Sequence, residues 1–399
     1  MDQSALRQRA TGPGPGPPED ANPLAMTVDS PPARPSPLVS LQVLRAAAAL
    51  MVLLHHAGYE VDLRAARGPL GLDRFFDLGF GVHLFFVISC FIMLRTARGF
   101  GSGRGALVFM ARRVVRVVPL YWLLTSATLI VAAAAPRLLN GASGGAAWVA
   151  GSYLFIPVAR GDGTLNPVLG QGWTLDYEMF FYVLFALAMV RPRRAALPAL
   201  ALALVGLVAL GRLISPPFAA MAVWTDGLLL EFLFGLGLAL AAERGLHLRA
   251  GVALSVVLAG AALALAGGPS TGLFDGLSPV VGEGVPAALI VGGCVLGPPW
   301  RGGRAVAALA LLGDASYSLY LSHPFAVRLL GVAWTAATPA GAPPVLFLAS
   351  ACAAAVLGAL ALHRFVERPM TEALQRRSLA GRVARPILPD SAVEAARRS

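Results

Sequence analysis

The stretch VLRAAAALMVLLHH, residues 43–56, is apolar enough for a membrane interior, yet it opens with Arg45 and closes with His55 and His56. An arginine at the centre of a lipid-facing helix costs about 2.5–3.5 kcal/mol on insertion scales, so an ionisable group there points to a protein interior and a function. Outward from this stretch, apolar runs about 18 residues long recur along most of the chain, the length of a membrane-spanning helix. The runs are continuous rather than alternating, which argues against a β-barrel. Helices are the form in which such segments satisfy their backbone without water.

The composition agrees. Of 399 residues, 57% are hydrophobic and 13% charged, against about 25% charged in soluble domains. The net charge is +11, and every basic side chain is an arginine. These arginines fall in short loops between apolar segments, so the positive-inside rule accounts for them and nucleic acid is not an expected partner. Cys90, Cys294 and Cys352 lie in apolar segments at no metal-ligand spacing and read as packing residues; no metal site is expected.

The pattern predicts an all-α fold, a polytopic membrane protein with a bundle of about ten transmembrane helices and both termini cytoplasmic. The spans fall near 41–58, 79–97, 114–134, 174–190, 195–212, 224–243, 250–267, 281–298, 306–335 and 344–363. The ninth is too long for one straight span and is expected to break at Gly313-Asp314. GAAWVAGSYLFIP, 145–157, is short and ends in proline, an interfacial or re-entrant piece. With the N-terminus inside, the inner loops carry most of the arginines, including Arg95, Arg98, Arg104, Arg191, Arg193, Arg194, Arg244, Arg249, Arg301 and Arg304. The outer loops carry Arg64, Arg67, Arg74, Arg137, Arg160 and Arg212. Three regions follow: a disordered Pro/Gly-rich tail (1–37), a membrane domain (38–370) and a short charged cytoplasmic tail (371–399).

Arg45 and His56 are eleven residues apart, almost three turns, so they share a helix face roughly 16 Å apart along the axis. GWTLDYEMFFY, 172–182, enters from the outer side and brings Glu178 to the depth of His56, with Tyr182 one turn on. GVHLFFVISCF, 81–91, brings His83 to the same layer. The expectation is a convergence of His56, Glu178 and His83, with the carboxylate fixing the imidazole tautomer for general-base work. The competing reading is a structural pair between helices, and His83 reads as a structural or acceptor-contacting residue. In MARRVVRVVPLYW, 110–122, Arg112 and Arg116 share a face beside Arg113. They suit phosphate oxygens of a nucleotide-bearing donor, although an ordinary positive-inside anchor accounts for them better from sequence alone. LLGDASYSLYLSHPF, 311–325, gathers Ser316, Tyr317, Tyr320 and His323 into one polar-aromatic segment. Ser89, Tyr121 and Trp173, within the motifs above, join Tyr182 and these four as pocket-lining or supporting residues.

These motifs, together with FVERP at 365–369, resemble acyltransferase family 3, integral-membrane O-acyltransferases that include bacterial polysaccharide O-acetyltransferases. They occur in the family's order over about residues 40–370. The resemblance implies about ten membrane helices in the bacterial cytoplasmic (inner) membrane. It also implies transfer of an acyl group, usually acetyl, from acyl-CoA to a sugar hydroxyl. No permanently bound cofactor is implied; acetyl-CoA is a substrate. The expected partners are acyl-CoA, a carbohydrate acceptor, the bilayer and glycan-assembly proteins. On it, Arg45 and His56 are the essential pair, Glu178 the acidic residue of the tryptophan-led motif, and Arg112, Arg113 and Arg116 the donor-binding group, with Arg45 lining the donor channel. Cys90 stands where the family has glycine, which leaves the packing there open. A transporter or flippase for a glycan or lipid-linked sugar is the alternative from another class. Direct attack and a covalent acyl-histidine both stay open.

Overall fold

The computed structural model describes residues 39–63, 70–74, 76–134, 144–268, 278–300, 303–337 and 343–383. The tail expected at 1–37, the end of the chain beyond 383, and Arg64, Arg67, Arg137 and Arg301 lie outside the described residues. All regular structure among the described residues is helical. The helices are α1 (Val39–Asp62), α2 (Gly81–Thr96), α3 (Gly103–Ala134), α4 (Ala146–Leu154), α5 (Trp173–Met189), α6 (Arg193–Leu213) and α7 (Ala219–Trp224). They continue with α8 (Glu231–Glu243), α9 (Ala250–Ala266), α10 (Val285–Leu296), α11 (Arg304–Asp314), α12 (Ser316–Ala337), α13 (Pro344–Leu362) and α14 (Arg368–Val383).

Among the described residues, six helical stretches are long and apolar enough to cross a membrane: α1, α2 with its preceding turn, α3, α6, α7–α8 and α13–α14. The α11–α12 pair, bent by 76°, makes a seventh if taken as one broken span. The chain is a multi-pass membrane protein. Each of the ten apolar segments read from sequence is helical, and the break expected at Gly313-Asp314 falls at Ala315, between α11 and α12. The 145–157 segment holds the nine-residue α4. At about 14 Å that helix is too short to cross a core of about 30 Å. The boundary read at Met370 is not a structural one, because α14 runs across it and packs against α3.

α1 is the central post, and its sequence explains why. Leu44, Ala48 and Val52, four apart, belong to one buried cluster with α2, α3, α5, α8, α10 and α12. Ala46, Ala49, Leu53 and Ala57, on another face, belong to a second cluster with α11, α12 and α13. The alanines keep both sides of the post thin enough for close neighbours. α2 and α8 approach closely at Gly235, where a Cβ would lie 3.0 Å from the Cβ of Cys90 and from the Phe91 nitrogen. The glycine that permits close approach here is thus on α8, across from Cys90.

The arginine-bearing junctions gather at one end of the bundle. The Gly101 N–H donates to the carbonyls of Met189 and Arg191, tying the α2–α3 turn to the end of α5. Arg193 at the start of α6 pairs with Glu243 at the end of α8. Gln42 Nε2 donates to Asp314 Oδ1 over 2.6 Å, and Arg116 pairs with Glu367, which ties α3 to the α13–α14 junction. The opposite end carries the His55–Asp73 contact at 2.9 Å and the irregular segment between α4 and α5. That segment is held by Trp148 Nε1 donating to the Asn166 carbonyl (2.9 Å) and the Val168 N–H donating to Ser152 Oγ (2.9 Å).

Candidate active site

A cavity of about 650 Å³ opens among α1, α2, α3, α5 and α12. α2 lines it from Thr96 to Val82, fourteen residue steps or about 21 Å of helix. Arg98, Arg104 and Arg112 are exposed at its basic end, and Arg45, Arg113, Arg116, Glu178 and Tyr182 line it further in, with Ser89, Ser316, Tyr317, Tyr320 and Thr174. The arginine group, Arg45 and Glu178 are therefore walls of one space.

The three arginines of α3 are not equivalent. Arg116 pairs with the fully buried Glu367, whose other oxygen accepts from Ser318 Oγ (2.6 Å) and lies 2.8 Å from His363 Nδ1. Its guanidinium also sits over the Tyr317 ring, 5.6 Å from the centroid. Arg113 donates to Thr96 Oγ1 (3.2 Å) and lies over the rings of Phe109 and Tyr182, at 5.4 and 5.6 Å. Arg112 is exposed and is the one of the three with its donors turned to solvent. Arg45 donates to Gln42 Oε1 over 3.0 Å, and Gln42 in turn holds Asp314. Glu367 stands in the FVERP motif and Asp314 at the expected break, yet sequence reasoning assigned neither a partner.

The expected convergence of His56, Glu178 and His83 is not formed. Glu178 accepts from Ser89 Oγ (2.9 Å) and from the Tyr182 hydroxyl (2.5 Å) inside the large cavity. His83 lies between two carboxylates, with Nδ1 2.7 Å from Glu231 Oε1 and Nε2 against Glu283. His56 makes neither contact. It lines a second cavity, about 420 Å³, with Tyr59, Glu60, Gln171, Phe325 and Arg328, and its ring stacks on His323 at 5.1 Å and 24°. The three groups face different neighbours, and Glu178 meets α2 at Ser89, six residues along that helix from His83. His55 is turned away from His56's cavity, towards Asp73, as its 100° offset predicts.

Between the two cavities stands a wall built by α12 and the start of α5. Tyr320 ends the large cavity, its hydroxyl 2.8 Å from Thr174 Oγ1 and 3.2 Å from the Gln171 carbonyl, which it donates to. Gln171 faces the smaller cavity on the far side. His56 and the arginines therefore line different cavities, with Tyr320 on the larger and Gln171 on the smaller. Tyr317 braces the same helix, its hydroxyl donating to the Val117 carbonyl (2.7 Å). Tyr121 and Trp173 line neither cavity. Tyr121 is buried against Phe155, at 4.7 Å, and Trp173 meets Tyr177 edge-on at 5.9 Å.

The bundle thus holds a basic-mouthed cavity that includes Arg45 and Glu178 and a second cavity lined by His56. The chain belongs to acyltransferase family 3: the family model described as Acyltransferase domain matches residues 38–364. It is similar to the exopolysaccharide production protein ExoZ of Rhizobium meliloti (strain 1021), 35% identical over 317 residues that cover 76% of this chain and 94% of that protein. It is also similar to the acyltransferase MdmB of Streptomyces mycarofaciens, 28% identical over 376 residues, 85% of this chain and 93% of that one. No solved structure matches it significantly.

Proposed function

We propose that the protein moves an acyl group, acetyl in the first instance, from cytoplasmic acyl-CoA to a hydroxyl of a cell-surface or membrane-associated carbohydrate. The observation that carries this reading is the pair of cavities on either side of Tyr320, one entered past Arg98, Arg104 and Arg112, the other lined by His56. In this reading the CoA phosphates bind the exposed guanidinium groups. The pantetheine arm follows α2, and the thioester comes to rest near Glu178 and Tyr320. The acceptor hydroxyl occupies the smaller cavity, His56 takes its proton, and its oxygen bonds to the acyl carbon as the carbon–sulfur bond breaks. The thiolate then takes the proton from His56. Because the two cavities are separate, transfer requires Tyr320 to move.

The ten helical segments are read as ten crossings of the bacterial cytoplasmic membrane, with the arginine-rich end and both termini in the cytoplasm. The name of the ExoZ relative, an exopolysaccharide production protein, supports a polysaccharide acceptor and glycan-assembly proteins as partners. Mass spectrometry of surface glycans from cells with and without the gene tests the reading. Loss of an acetyl mass supports it; glycans that are unchanged while a glycan or lipid-linked sugar ceases to cross the membrane favour a transporter.

A further inference from the structure

His323 on α12 is fully buried. Its Nδ1 lies 3.0 Å from the Leu319 carbonyl oxygen. A carbonyl only accepts, so Nδ1 carries the proton, and Nε2 of the neutral ring is an acceptor. That Nε2 is buried and has no hydrogen-bond partner among the described residues. An unpaired buried acceptor costs stability, and an apolar ring would fill the same space without that cost. The one imidazole stacked on it is His56, 5.1 Å away between centroids. The position is also the one between the two cavities: Tyr320, one turn earlier, ends the larger, and Pro324 and Phe325, the next two residues, line the smaller.

We propose that His323 is a positioning residue for His56. Its ring holds the His56 imidazole against the smaller cavity, and its Nε2 accepts a hydrogen bond from the His56 imidazolium formed during transfer. This rests on the reading of His56 as the base. The acceptor O–H breaks and its proton goes to His56; the C–O bond forms as the C–S bond breaks; the His56 ring turns out of the stack and donates to Nε2. The proton then passes from His56 to the CoA thiolate. His323 keeps its Nδ1 proton on Leu319 and stays neutral throughout, so two imidazolium ions never face each other.

The test uses the purified full-length protein in lipid nanodiscs with acetyl-CoA. The acceptor is de-O-acetylated surface glycan from cells lacking the gene, and CoA release is followed with a thiol reagent. His323→Phe keeps a stacking ring without nitrogen; His323→Gln supplies an acceptor oxygen. The expected result is that His323→Phe loses about tenfold to hundredfold in kcat with the KM for acetyl-CoA within about twofold of wild type. His323→Gln recovers a measurable part of that loss. Wild-type kcat in His323→Phe, or equal impairment of the Phe and Gln variants, overturns the proposal and makes His323 a packing residue. No acceptor-dependent CoA release by the wild type, or full release by His56→Ala, overturns the function reading itself. That result differs from a failure confined to His323.

Discussion

The hydroxyl of Tyr320 lies 2.8 Å from Thr174 Oγ1, and this contact joins α12 to the start of α5 across the end of the large cavity. Tyr320 is buried, and its ring meets Phe85 edge-on at 5.9 Å. Tyr320→Ala should connect the two cavities and let water reach a bound thioester. Acceptor-independent CoA release should rise above the wild-type rate while transfer to glycan falls, measured side by side on the same protein. Tyr320→Phe should lose only about 1 kcal/mol of stability, the net value of a hydrogen bond. Unchanged acceptor-independent release in Tyr320→Ala would show that the partition lies elsewhere.

Arg112 separates donor binding from structure. Because it is exposed on the cavity and carries no internal partner of the kind that holds Arg113 and Arg116, Arg112→Ala should leave the unfolding temperature unchanged. It should raise the KM for acetyl-CoA about tenfold, the loss of a charge-assisted contact to phosphate, with kcat little affected. An unaltered KM would return this arginine to the role of a topological anchor.

For the Arg116–Glu367 pair the order of severity follows from burial. Glu367 is fully enclosed, whereas the Arg116 side chain is 32% exposed. Glu367→Ala deprives Arg116, Ser318 and His363 of a shared partner and should destabilise by about 3 kcal/mol, as expected for breaking a buried pair. Arg116→Ala leaves the carboxylate with Ser318 and His363 and should cost less. Thermal unfolding in detergent, compared across the two single variants, reads the difference; the reverse order would mean that Glu367 is held chiefly by groups other than these.

Cys90 and Gly235 form a complementary seam. Gly235→Leu should drive α8 away from α2 and destabilise by about 1–3 kcal/mol through overpacking. Gly235→Ala alone should already destabilise, because its Cβ would meet the Val87 backbone carbonyl, which Cys90→Gly leaves in place, so double-variant unfolding measurements should find the two changes additive. Rescue of Gly235→Ala by Cys90→Gly would mean that the cysteine side chain, not that carbonyl, limits the approach.

The sequence was a good guide to the axial direction and a poor one to the lateral direction. Each apolar run read from sequence is helical, six stretches among the described residues being long enough to span, and a glycine-aspartate pair marked the bend at Ala315. Position along each helix could be counted in turns. Which way each pointed could not be counted. α2, α5 and α8 are apolar almost all round, and a helix without a polar face carries no periodic signal of its orientation in a bundle. His83 thus found Glu231 and Glu283 rather than Glu178. Partners such as Glu367 for Arg116 and Asp314 for Gln42 lie more than two hundred residues away in the chain, beyond any local pattern.

That last separation bears on biogenesis. Arg116 enters the bilayer with the third helix, and the carboxylate that neutralises it is synthesised 251 residues later. Until then the nascent chain carries this partly exposed arginine, at the basic end of the bundle, without that carboxylate. An intermediate truncated before the last turns is therefore a natural target for quality control, and the ribosome must finish almost the whole polypeptide before the basic chamber acquires its final electrostatics.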